Sequence, residues 1–91
     1  MADELLVGTV VAAEQQPGAR APALLLTLDL GTYGKARGVL SGTRDPDAVR
    51  GMQLVCRRDS EGVIVVAAHS HAKGIVPLQP AQDVEPGTLV S

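Results

Sequence analysis

Apolar and polar positions alternate along much of this chain, and glycine and proline cut the alternation into short segments. Leu5 to Ala13 is the first, with Val7, Val10 and Val11 around Gly8 and Thr9. A glycine inside such a run predicts a bulge or a close backbone approach. Gln15-Gln16-Pro17-Gly18 reads as a turn. Ala23 to Leu30 follows as a second strand, nearly continuous in leucine, in which Thr27 and Asp29 alternate with Leu26, Leu28 and Leu30. One of its faces therefore meets solvent. Gly31-Thr32-Tyr33-Gly34 is the hairpin turn into a third strand, Lys35 to Ser41. Side chains of a strand point alternately to its two faces, so Lys35, Arg37 and Val39 share one face, and Ala36, Gly38 and Leu40 the other.

The pattern then changes. Asp45-Pro46-Asp47-Ala48-Val49-Arg50-Gly51 carries the end signals of a helix of one or two turns: Asp45 as N-cap, Pro46 in the first helical position, Gly51 as the stop. Met52 to Arg57 and Val63 to Ala68 are a fourth and a fifth strand, joined by the polar loop Arg58 to Gly62. Gly74 to Leu78, a loop from Gln79 to Gly87 and the apolar end Thr88-Leu89-Val90 complete the chain. This order predicts an all-β fold, a five-stranded OB-fold Greek-key barrel with one short helix between strands three and four and a C-terminal extension. A two-layer sandwich, the main rival, calls for more strands. No repeat or linker divides residues 1–91, so a single domain is expected.

Composition narrows the picture. With 91 residues, no Phe, no Trp and only Tyr33 as an aromatic, the core must be built from Val, Leu, Ile and Ala. A small aliphatic core leaves little reserve of stability, which a homodimer would relieve. Leu5 and Leu6 before the barrel, and Ile75, Val76 and Leu78 after it, are the candidate contacts. The formal charge of −2 is unusual for a nucleic-acid protein. It leaves room for a local basic patch, because screening limits strong interactions to roughly 8–10 Å. The lone Cys56 fits a reducing, cytoplasmic setting, no signal peptide is read at the acidic start, and no apolar run approaches the roughly 20 residues of a membrane span.

Several stretches, taken in order, resemble the tRNA-binding-domain family with the OB fold, in particular the CsaA-type secretion chaperones and tRNA-binding proteins. Val7-Gly8-Thr9-Val10 is similar to the family's opening strand and Pro17-Gly18-Ala19-Arg20-Ala21-Pro22-Ala23 to its proline-and-arginine loop. Leu28-Asp29-Leu30-Gly31 resembles the end of its second strand, and Arg37-Gly38-Val39-Leu40-Ser41-Gly42 its third. Pro46 to Gly51, Ser60-Glu61-Gly62-Val63 and Val84-Glu85-Pro86-Gly87-Thr88 resemble its short helix, the opening of its fifth strand and its closing turn. The loop between the fourth and fifth strands, normally longer and carrying asparagine, prolines and basic residues, is here reduced to Arg57-Arg58-Asp59-Ser60-Glu61. The resemblance implies an RNA-binding module that recognises tRNA or structured RNA through a basic barrel face, and a homodimer.

RNA recognition by a small barrel needs cations for phosphates and flat groups for unstacked bases. The candidates are Arg20, Lys35, Arg37, Arg57 and Arg58, with Ser60 from the shortened loop; Asp29, Asp59 and Glu61 could instead balance them as a solvated face. If the arginines cluster away from acids, RNA is favoured; if acids pair with them, it is not. The second function class, implied by the resemblance to the CsaA-type chaperones, is a chaperone-like module binding extended segments of unfolded, export-bound polypeptides on an apolar surface; the many aliphatics and the short loop favour it. A third is a barrel that only dimerises. His69 and His71 point one way on a strand, but zinc takes about three or four ligands and Lys73 adds repulsion, so no metal is expected. No catalytic spacing or phosphate loop is present, Cys56 reads as a small core hydrophobe, and neither enzymatic activity nor a cofactor is expected.

Overall fold

A computed structural model describes residues 4–16, 18, 20–60 and 62–91. The predicted Pro17 turn and the acid Glu61 thus fall, in part or whole, outside the described residues. The strands are β1 (Glu4–Gln15), β2 (Ala23–Asp29), β3 (Lys35–Ser41), β4 (Gln53–Asp59), β5 (Gly62–Val65), β6 (Ala67–Ser70), β7 (Gly74–Pro77) and β8 (Leu89–Val90). A single 3-10 turn, Gly31–Tyr33, joins β2 to β3, and helix α1 (Pro46–Val49) lies between β3 and β4. The main sheet runs β3-β2-β1-β4-β5 with every neighbour antiparallel, and β8 adds to β1. It curls until β3 and β5 pack against each other, giving a nearly closed OB-type barrel.

Strict alternation produces the core. Leu24, Leu26 and Leu28 on β2, Leu40 on β3, and Leu54 and Cys56 on β4 point inward and are buried with Leu6, Val10, Leu30, Val49 and Val65. The opposite faces of β2 and β3 carry Leu25, Thr27 and Asp29 beside Val39, Arg37 and Lys35 in direct cross-strand register, as the sequence pattern predicts. Gly8 makes the expected close approach: a Cβ there would lie 3.0 Å from Leu30 Cδ2 and 3.4 Å from Cys56 Sγ. The register shift itself falls later, between Val10 and Ala12. Asp45 caps α1, its Oδ1 accepting from Asp47 N at 3.0 Å, and Gly51 leaves the helix at φ +89°.

The fifth strand departs from expectation. The run predicted as one strand from Val63 to Ala68 divides at Val66. There the chain leaves the barrel: Val66 N donates to Val55 O, Leu78 N to Val66 O and Val55 N to Leu78 O. Ala67–Ser70 then pairs with Gly74–Pro77 in a separate two-stranded sheet. An apolar run carries no mark of such a switch, because Val66 satisfies its backbone in both directions at once. The tail returns to the barrel, with Val7 N donating to Thr88 O and Gly87 N to Val7 O. It thereby takes over the edge of β1 where β2 has ended.

Cys56 is fully buried in this core. Burial raises its thiol pKa from 9.0 to about 11, against a smaller lowering by the Gly8 backbone. A thiol so held is protonated at neutral pH and is no nucleophile. No helix among the described residues is long and apolar enough to cross a membrane.

Candidate ligand-binding groove

Closure of the barrel between β3 and β5 is by packing, with no strand pairing between them among the described residues. The strands come together at Gly38, where a Cβ would lie 3.3 Å from Leu28 Cδ1 and 3.7 Å from Val63 O. Beside this contact lies a groove of about 250 Å³ lined by Leu25, Arg37, Gly38, Val39, Val63 and Ile64. Val39 and Ile64 are 44% and 49% exposed, high values for large aliphatics on a sheet face. Arg37 is the one cation of the lining. The groove is thus an apolar slot with a single positive charge.

Of the six sequence-predicted RNA contacts, Arg37 alone is in its lining. Lys35 and Arg37 are exposed on the outer face of β3, opposite Asp29 and Thr27. Arg20 is exposed in the β1–β2 loop and Ser60 in the β4–β5 turn, where Asp59 Oδ1 accepts from Gly62 N at 3.1 Å. Arg57 is exposed on the outer face of β4, in register with Leu5 on β1 and Ile64 on β5.

Arg58 is placed differently. It continues the inward row of Leu54 and Cys56 to the end of the barrel, where its Nη2 donates to Glu4 Oε1 at 2.7 Å and its guanidinium lies 4.3 Å from the centre of the Tyr33 ring. The side chain that sequence reasoning assigns to RNA therefore closes the barrel, and the chain's only aromatic gives a face to it. Both partners of the ion pair are more than a third exposed, so the cluster contributes modestly. We expect Arg58→Ala to lower stability by about 1 kcal/mol in urea unfolding and to leave ligand binding unchanged. Lost binding at unchanged stability would return Arg58 to the site.

The predicted dimer contacts also divide. Leu6 is fully buried, so its side chain belongs to the core and cannot reach a partner. Ile75 is half-buried, and its carbonyl accepts from Arg44 Nη2 at 2.6 Å. Leu5, Val76 and Leu78 are exposed, as are Leu89 and Val90, which sequence reasoning passed over. Val90 stands opposite Leu5. Among the described residues no three His, Cys, Asp or Glu side chains come together as metal ligands. His69 and His71 are exposed at the tip of the β6–β7 hairpin, where Lys73 N donates to Ser70 Oγ.

Comparison of the fold with solved structures gives a consistent answer. A CsaA chaperone from Bacillus anthracis str. Ames superposes with a TM-score of 0.84 at 28% identity, over 98% of this chain and 91% of the other. The chain has a CsaA-type fold. A CsaA chaperone protein from Picrophilus torridus also gives a TM-score of 0.84, at 19% identity over 98% and 92% of the two chains. A MetRS related protein from Pyrococcus horikoshii gives 0.75 at 16% identity over 98% and 90%. The last two likenesses are of fold alone. No family model and no curated protein matches the sequence. The CsaA-like architecture explains why the resemblance runs through the turns and strand ends: these positions set the barrel's path.

Proposed function

We propose that this protein is a binding module, without enzymatic chemistry, that holds extended segments of unfolded polypeptide in the groove between β3 and β5. It acts on such chains in the cytoplasm. The observation that carries this reading is the lining itself: Leu25, Val39, Val63 and Ile64 supply aliphatic surface and Arg37 one charge. A nucleic-acid groove has the opposite balance, many cations with flat side chains for the bases. Here the single aromatic, Tyr33, is covered on one face by Arg58, and Arg58 is paired with Glu4. The similarity at 28% identity to a protein described as a chaperone supports the same reading.

Structured RNA is the second reading, favoured by the exposure of Arg20, Lys35, Arg37 and Arg57. Contacts of this type are to phosphate, so tRNA binding is expected to be weak and to fall steeply with salt. Fluorescence anisotropy with a labelled, permanently unfolded polypeptide, competed by tRNA at low and at physiological salt, separates the two. The proposal expects saturable polypeptide binding that survives physiological salt and is not displaced by tRNA. Binding of tRNA alone, weakened by Arg37→Ala, would replace it with the RNA reading.

Two copies are proposed to pair through the exposed Leu5, Val76, Leu78, Leu89 and Val90. Burying them would extend a core that contains no aromatic side chain. Sedimentation at micromolar concentration is expected to show a dimer, dissociated by Leu5→Glu/Leu78→Glu. A 9.4 kDa monomer throughout would remove pairing from the account and leave the groove untouched.

A further inference from the structure

Charge is distributed unevenly around the apolar slot. Of the three arginines on the barrel strands, Arg58 is paired with Glu4 and Arg57 is engaged within the chain. Arg37 has no ion pair among the described residues. Its cross-strand neighbour on β2 is the neutral Thr27. Asp29 stands opposite Lys35 instead, its Oδ1 accepting from Gly31 N at 2.9 Å. A more polar hollow adjoins the slot, sharing Val63 and Ile64 with it and lined also by Asp59 and Gly62. Asp59 is tied into the β4–β5 turn there, its Oδ1 accepting from Gly62 N. Arg37 is thus a guanidinium beside aliphatic surface that no described carboxylate neutralises.

Spacing adds a second constraint. Arg37 and Val39 share the outer face of β3 two residues apart, roughly 6.6 Å along the strand. Leu25 stands opposite Val39 on β2, and Ile64 belongs to the other wall of the slot. An extended ligand repeats its own side chains at the same interval. A segment laid over the outer face of the seam therefore meets the cation and the aliphatic wall with residues two apart. It rests on outward side chains and leaves the packing of β3 on β5 as it is. Covering the slot also strips water from around Arg37, which is costly unless the ligand brings an acceptor for it.

We propose that the slot selects its polypeptide by charge: it takes extended segments with a carboxylate two residues from a branched aliphatic side chain, and disfavours those with lysine or arginine in that place. The aliphatic side chain packs among Leu25, Val39 and Ile64. The carboxylate accepts from the Arg37 guanidinium, whose planar donors suit it. This rests on the polypeptide-binding reading and names its substrate class. The formal charge of −2 on the whole protein works the other way and attracts basic chains. At physiological salt that field is screened beyond roughly 8 Å, so selection in the slot is local. Arg37 is then the residue that determines specificity.

The test uses the intact protein at physiological salt and a fluorescein-labelled peptide alternating valine and threonine, with its central valine replaced by glutamate. Two further peptides carry glutamine or lysine at that place. Fluorescence anisotropy is expected to rank glutamate above glutamine above lysine, with at least about tenfold between the first and the last. Arg37→Glu, on an exposed position, is expected to keep the native circular dichroism and to reverse the order, so that the lysine peptide binds best. Arg37→Gln is expected to bring the glutamate and lysine peptides to within about threefold of each other. Equal affinities for wild-type protein, or a preference for lysine, would overturn selection by charge and leave polypeptide binding in place. An order unchanged in both variants would take the role away from Arg37. Failure of all three peptides to bind the wild-type protein would overturn both readings.

Discussion

Gly87→Ala is expected to unfold the protein or destabilise it by several kcal/mol, whereas Gly51→Ala, at nearly the same backbone angle, is expected to cost only about 1–2 kcal/mol. Gly87 has φ +88° and Gly51 φ +89°, so the intrinsic penalty for a side chain in the left-handed region is shared. The surroundings differ. Nothing lies within 4 Å of a Cβ built on Gly51, while one on Gly87 would overlap the carbonyl oxygen of Leu30. That oxygen belongs to the backbone just after β2, where it also accepts from Tyr33 N, and cannot swing aside as a flexible side chain can. Gly31 meets Pro86 in the reciprocal way, a Cβ there overlapping the Pro86 carbonyl oxygen. The two glycines thus form one backbone-to-backbone contact that seats the tail on the barrel, where Gly87 N also donates to Val7 O at 2.7 Å. Urea unfolding of both variants checks the prediction. Equal losses would show that the contact contributes nothing beyond backbone angle.

The second large effect is expected at the groove. Val39→Glu/Ile64→Glu places two carboxylates in a slot that depends on aliphatic contact, and should weaken unfolded-polypeptide binding by at least about a hundredfold, roughly 1.4 kcal/mol for each factor of ten. Both side chains are close to half exposed in the free protein, so stability should change by less than about 1 kcal/mol. This separation of binding from folding distinguishes a ligand surface from a core. Anisotropy titration beside urea unfolding of the same variant measures both. Retained binding would place the polypeptide elsewhere on the molecule.

Local chemistry made much of the barrel legible in advance. Period-two leucines define the inner face of β2. Asp45 and Pro46 start α1, and glycine punctuation separates β2, β3 and β4. Each of these signals acts within a few residues. The parts that sequence reasoning missed depend on distant segments meeting. Arg58 looks like a loop cation until the β1–β4 register sets it opposite Glu4, and barrel closure brings Tyr33 over it. Val66 looks like the middle of a strand until Leu78 returns to it.

The groove has the same origin. Its two walls belong to β3 and β5, the opposite ends of the sheet path, and Leu25 reaches it from β2. One signal was present: Val39 occupies an outward position beside Lys35 and Arg37, where a merely solvated face would carry a polar residue. An outward aliphatic is weak evidence singly, because folded proteins expose many such side chains. It becomes informative when Ile64 and Leu25 are found around it. Lys35 and Arg37 share the outer face of β3, and Arg37 also lines the apolar groove.

The most direct test of the groove as a polypeptide site is a ¹⁵N NMR map of the protein titrated with unlabelled, unfolded polypeptide. The account predicts that the largest amide shifts fall on Arg37, Gly38, Val39, Val63 and Ile64, and that tRNA added at physiological salt leaves those amides in place. Shifts centred instead on Arg20, Arg57 and Ser60, appearing with tRNA and absent with polypeptide, would contradict it.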